Sequence, residues 1–301
     1  MNYNNFMKWL ILSEKNRDLT FFKNFVSEIF SESEFTCGNL ENLSEINENE
    51  IAGVSAVVLF FEGNESGVVS FFSGFCAGSG AKFFVVCEKN EIQNAFYCKF
   101  SEFFNSEEQL KDYLLKSAEE MIQKNKQKEA FCFLFKNGYP FDSDNFAKFI
   151  EKDKEKICRA YIEAGMSVDS VDSDGTPMLN VAVRADNLAA VKWLVDCGAD
   201  INSVSKDRGY TPVMDAVWRG NLEIAKYFVE HGAALDTINK EGQSMLILAV
   251  GSGRADIVKL LAENGADPDI ADSMGMSAYG YAKLFKKEEI CSILEKYHKE
   301  Q

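Results

Sequence analysis

The sequence predicts two folds in one chain: an α/β domain on a small open parallel sheet, then an all-α stack of helical repeats. Three observations carry this. Residues 1–106 hold 17 of the 25 phenylalanines and two nearly uninterrupted apolar runs, Ser55–Phe61 and Ala81–Cys87. Such runs suit strands buried on both faces of a parallel sheet. From residue 165 the chain repeats itself: Gly165, Gly198, Gly232 and Gly265 lie 33, 34 and 33 residues apart. Ala182, Ala216, Ala249 and Ala282 keep the same step, as do the pairs Trp193-Leu194, Tyr227-Phe228, Leu260-Leu261 and Ile293-Leu294. A fixed period of this length marks stacked supersecondary units, each touching only its neighbours.

In chain order, Phe6–Leu12 reads as a first strand and Leu19–Phe30 as an amphipathic helix. Ser55–Phe61 is the third strand, Val68–Gly78 a short crossover helix, Ala81–Cys87 the next strand and Phe96–Phe100 the candidate last one. The sheet then has four or five strands, an α/β arrangement. Glu107–Ile122 is a long helix that packs on the sheet and begins the stack.

Each repeat reads as two helices. Thr211-Pro212 and Thr176-Pro177 offer an N-cap hydroxyl followed by proline at the first helical position. Ala216 and Ala249 let neighbouring helices approach closely. Ile224, Tyr227 and Phe228 share one face of the second helix, as do Ile257, Leu260 and Leu261. Gly232 and Gly265 stand where a helix end needs a left-handed residue. Fainter units precede: Asp144–Glu151 with Lys154–Glu163, and Ser117–Lys124 as inner partner of Glu129–Lys136. That makes about six units over residues 107–301, the outer ones atypical as end caps should be.

The run from Thr211 to Ala233 resembles the ankyrin repeat, with its Thr-Pro start, small-residue inner helix, apolar outer helix and Gly-Ala ending. Met214 and Ile247 stand where that family has histidine, and Ser244 and Ser277 replace the threonine. The resemblance implies protein recognition on the concave face, through the turn before Thr-Pro and the inner helix. Carried onto this chain, those positions are Lys206, Arg208 and Tyr210 in the long turn, and Arg184, Trp218 and Arg219 on inner helices. Trp, Tyr and Arg dominate binding hot spots. Gly251 and Ser252 leave room beside Trp218; the alternative is that Trp218 packs against the neighbouring turn to support Tyr210.

Composition narrows the function classes. The net charge is −15, with 7 basic and 14 acidic residues in 1–106 and 25 and 33 in the remainder. Nucleic acid is not an expected partner of such a surface. No apolar run approaches the roughly 20 residues that span a bilayer, so no membrane association is expected. Eight cysteines lie mostly in apolar strings such as Phe131-Cys132-Phe133, Val86-Cys87 and Ile157-Cys158. They read as reduced, buried residues of a cytoplasmic protein. Metal-ligand spacings are absent, and no cofactor is expected.

The segment Gly74 to Val86 resembles a turn of the nucleoside 2-deoxyribosyltransferases and of the wider flavodoxin-like folds that include TIR-type domains. That resemblance implies a glutamate nucleophile two residues before the glycine, but Phe72 stands there, and Val68–Ala81 holds no acidic residue. Covalent glycosyl chemistry needs a carboxylate, so the domain reads as non-catalytic. A ligand crevice is still expected where loops leave the strand ends, lined by Ser13, Glu14, Glu62, Asn64, Glu65, Ser66 and Gly67. A nucleotide-like small ligand is its candidate occupant; the favoured alternative is that Gly63-Asn64 is an ordinary turn and Ser66 an ordinary N-cap, since two glutamates beside the site oppose a phosphate. The overall expectation is a cytoplasmic interaction protein whose repeats bind a partner; the basic and aromatic patch suggests an acidic or carboxylate-bearing partner segment, and the acidic stretch Glu41–Glu50 of its own chain fits equally well. The alternative is a nucleoside- or NAD-binding, N-glycosidic-bond-hydrolysing enzyme regulated by its repeats.

Overall fold

The structure, a computed structural model, describes residues 7–13, 17–30, 33–40, 51–60, 66–87 and 101–299. The chain separates into two compact units, Met1–Glu129 and Ala130–Gln301.

Among the described residues the first unit holds five parallel strands: β1 (Met7–Ser13), β2 (Ser33–Asn39), β3 (Ala56–Phe60), β4 (Lys82–Val86) and β5 (Glu102–Phe104), ordered β2-β1-β3-β4-β5. This is the flavodoxin-like order, in which the chain reverses direction beside β1. Side chains alternate faces along a strand, and β1 divides accordingly. Trp9 and Ile11 join Ala56, Val58 and Phe84 beneath α1 (Thr20–Ile29) and the start of α3 (Glu107–Lys136). Leu10 and Leu12 join Val57, Leu59, Phe83 and Val85 beneath α2 (Ser66–Ser79). With both faces covered, the central strands must be apolar throughout, which is why β3 and β4 were so visible in the sequence.

The edges of the sheet were not. β2, Ser-Glu-Phe-Thr-Cys-Gly-Asn, has no apolar run because it covers only one flank of β1. At the opposite edge, β5 falls at Glu102–Phe104, while the expected last strand Phe96–Phe100 lies outside the described residues. The expected pair Ser117–Lys124 and Glu129–Lys136 is corrected to one unbroken helix, α3. No glycine or proline interrupts residues 107–136, and Asn125 Nδ2 donates to Glu129 Oε1 at 3.2 Å, an i,i+4 contact across the supposed turn. The division between the units falls within α3.

Beyond α3 the described residues form five helix pairs: α4 (Ser143–Glu151) with α5 (Glu155–Glu163), α6 (Met178–Arg184) with α7 (Leu188–Asp196), α8 (Pro212–Arg219) with α9 (Leu222–Glu230), α10 (Met245–Ser252) with α11 (Ala255–Glu263), and α12 (Ala278–Leu284) with α13 (Glu288–Leu294). The even-numbered inner helices pack on one another in sequence. Thr211, Ser244 and Ser277 cap their helices by accepting from Met214, Ile247 and Gly280 backbone N–H groups. Thr176 does not: Pro177 occupies the cap position of α6 with no side-chain cap. Cys132, expected inside, is exposed, whereas Cys76 and Cys158 are buried. Burial pushes those two thiols up to about 12.

Two ladders of polar side chains tie the repeats together. Asp169, Asn202 and Asp236 each accept from a backbone N–H of the next repeat, at Asp200, Ala234 and Asp267 (2.8–3.1 Å). Asp269 continues the series by accepting from Lys299 N–H at 2.9 Å. The second ladder runs along the inner-helix ends, where Asp153 and Asp186 adopt left-handed conformations with φ of 54° and 58°. There they accept from Asn187 and Asn221, the N-cap residues of the following outer helices. Asp tolerates this backbone better than most residues because its short side chain bonds locally.

Candidate partner-binding cleft

Each repeat meets the next through a finger-like turn before its inner helix. Three turns close with the same step: Asp172 N–H to Thr176, Asn239 to Gln243 and Asp272 to Met276. The other closes from Ser205 to Tyr210, one residue longer. That extra residue is the reason one spacing in the glycine ladder is 34 rather than 33, and it places Asp207 and Arg208 at the tip.

The longer turn borders a cleft of about 750 Å³ lined by Arg184, Asp186, Arg208, Asp215, Trp218, Arg219, Gly220, Asn221 and Leu222. Four expected recognition residues therefore meet in one place. Trp218 is 49% exposed on the last turn of α8, and its ring edge rests on Tyr210 at a centroid distance of 6.4 Å. The register position equivalent to Trp218 in the next repeat is Gly251, which has open space around it. Arg219 is exposed beside Trp218, and Arg208 sits over the Tyr210 ring at 5.8 Å.

The other two positions differ from expectation. Tyr210 is only 3% exposed; its backbone closes the turn and its ring is the platform beneath Trp218, so Trp218 packs on Tyr210 while half of its side chain stays exposed. Lys206 is exposed but lies off the cleft. Its stem covers Gly175 in the preceding turn, where φ is +77° and a Cβ would collide with Lys206.

Arg184 is present in the cleft but already engaged. Its Nε donates to Asp215 Oδ2 at 3.0 Å, and its two Nη groups grip Asp207 at 2.9 and 3.1 Å and reach Ser205 Oγ at 3.2 Å. Asp215 is 1% exposed and also accepts from Asn180 Nδ2 at 2.7 Å. Burial raises the Asp215 carboxyl above the ordinary aspartate range, against the pull of Asn180 and Arg184. At Asp207 burial acts upward too, but Arg184, Ser205 and the Arg208 backbone outweigh it and hold the carboxyl well below its usual range. The network spans two repeats. Its members Asn180, Asp207 and Asp215 were not singled out in the sequence, although the 34-residue spacing marked the turn that carries one of them.

In the first unit, Ser13 ends β1 and is buried, while Ser66 and Gly67 open α2. Glu14, Glu62, Asn64 and Glu65 lie outside the described residues. Phe72 is fully buried beneath the sheet, with Phe83 at 6.3 Å between ring centroids. A residue missed in the sequence, Arg17, covers the Phe60 ring at 4.2 Å and pairs with Glu107 at 3.0 Å. Among the described residues no helix is long and apolar enough to cross a membrane.

Residues 179–272 and 214–299 match the family described as Ankyrin repeats (3 copies), and residues 146–195 match Ankyrin repeats (many copies). The chain is 31% identical over 224 residues to an ankyrin repeat-containing protein of Treponema pallidum (strain Nichols), covering 74% of this chain and 75% of that one. It is 36% identical over 90 residues to Protein phosphatase 1 regulatory subunit 27 of Mus musculus, 30% of this chain and 58% of that protein. It is 34% identical over 83 residues to Ankyrin repeat and SAM domain-containing protein 6 of Rattus norvegicus, 28% of this chain and 9% of that one.

Proposed function

Because this chain belongs to the ankyrin-repeat family, we propose that it works by binding another protein on the face formed by its inner helices and finger turns. The observation that carries this is the cleft at Trp218, where a half-exposed indole resting on the Tyr210 ring shares the lining with two exposed arginines. Such anchors bury much area at small entropic cost. The buried thiols and the dense backbone-bound ladders suit a rigid scaffold working in the cytoplasm. The first unit is proposed to serve without sugar-transfer chemistry, since Phe72 belongs to its core and offers no nucleophile.

Two experiments test this reading. A photo-crosslinking residue placed at position 218 should capture a discrete protein in cells, while the same group at Glu263 on an outer helix should not. Identical adducts from both positions, or none from 218, would remove the cleft as the binding site. Incubating the protein with NAD and a panel of nucleosides should release no base; release would overturn the non-catalytic reading of the first unit.

A further inference from the structure

The chain has six arginines. Four of them are ion-paired: Arg17 with Glu107, Arg159 with Glu155, Arg184 with Asp207 and Asp215, and Arg254 with Asp256. The remaining two, Arg208 and Arg219, pair with no described acidic group, and both line the same cleft. This happens in a protein with 47 acidic and 32 basic side chains apart from histidine, where an arginine has carboxylates to spare. Resting on the protein-binding reading above, we propose that the cleft takes a segment of another protein carrying an aspartate or glutamate next to an apolar residue. The carboxylate bridges Arg208 and Arg219, and the apolar side chain lies on Trp218.

The molecule contains its own precedent in the lining of the same cleft. Arg184 holds the Asp207 carboxylate through both Nη groups, the fork geometry in which guanidinium recognises planar anions. A single negative charge suits the surroundings better than a phosphate. Asp186 and Asp215 also line the cleft, and a dianion would meet their repulsion along with that of a net charge of −15. Recognition is then local, made by short-range arginine contacts against an unfavourable long-range field. Trp218 supplies the readout. Trp9 and Trp193 are 1% and 5% exposed, so a ligand in the cleft alters the emission of one tryptophan.

A pool of random peptides displayed on phage, selected against the full chain, tests both levels. The expected result is enrichment of Asp and Glu beside apolar residues. Synthetic versions of the selected peptides should perturb Trp218 fluorescence and bind roughly tenfold more weakly to R208Q/R219Q. They should bind about thirtyfold more weakly to W218A. All three residues are exposed, so unchanged circular dichroism and melting of both variants separate lost contacts from lost folding. Peptides that depend on Trp218 but carry no acidic residue, or that prefer phosphoserine to glutamate, would overturn the carboxylate proposal and leave the cleft reading standing. Selected peptides indifferent to both variants, or no selected peptides at all, would overturn both.

Discussion

The sheet unit and the repeat stack hold themselves together by different means. In the first, a few large apolar side chains from distant parts of the chain share two cores: Trp9 meets Phe84 and Phe30, and Phe72 meets Phe83. In the second, each repeat is thin, and side-chain-to-backbone hydrogen bonds, each joining residues 31 or 32 apart in sequence, recur once per repeat. Damage to a shared core is global, whereas damage to a linear stack is local, because each repeat is stabilised by its nearest neighbours.

Four substitutions sharpen or break that contrast, taken from the largest effect down. F72E puts a charge in the sheet core and should destabilise the first unit by about 5 kcal/mol or more. Hydrogen exchange should show β1, β3 and β4 losing protection together while α8–α11 keep theirs; loss in both regions would mean that the two units unfold as one. R184M removes the partner of buried Asp215 and should cost about 3–5 kcal/mol, read as a lower urea midpoint with faster exchange confined to α6–α9. N202A breaks one rung of the ladder and should cost about 1 kcal/mol, with the Ala234 amide losing protection first.

The smallest effect is a pH dependence. Arg184 depresses the Asp207 carboxyl, and a depressed acid stabilises the fold above its unfolded value. The advantage of the native protein over D207N should therefore be full above about pH 5 and fade as the pH falls below about 3.9. Because the pair is partly exposed, the difference should stay below about 1 kcal/mol. A gap that widens on acidification would reverse the assignment.

The same contrast explains what could be read in advance. The central strands β3 and β4 were legible because burial on two faces forces apolar runs. β2 was not, since an edge strand meets no such demand. The repeats were legible through Gly, Ala and paired apolar positions that periodicity amplifies. The helix α3 was misread as a pair because its polar middle resembled a turn, although it contains no breaker. At the cleft, Trp218, Arg208 and Arg219 followed from the positions that the ankyrin resemblance marks for recognition. The Arg184–Asp215–Asn180 network did not, because its members lie 31 to 35 residues apart and nothing local distinguishes a buried aspartate from an exposed one. Tyr210 was placed correctly in the chain but on the wrong side of the surface.

The one-residue excess in the Ser205–Tyr210 turn makes the cleft a portable unit. Its address in the stack depends on a lengthened turn, an arginine one repeat earlier to hold the new carboxylate, and the aspartate and second arginine of the facing inner helix. The Asn239–Gln243 turn, lengthened to carry Lys-Asp-Arg-Gly-Tyr together with W218R, L248D, G251W and S252R, would place the same set of residue types one repeat along.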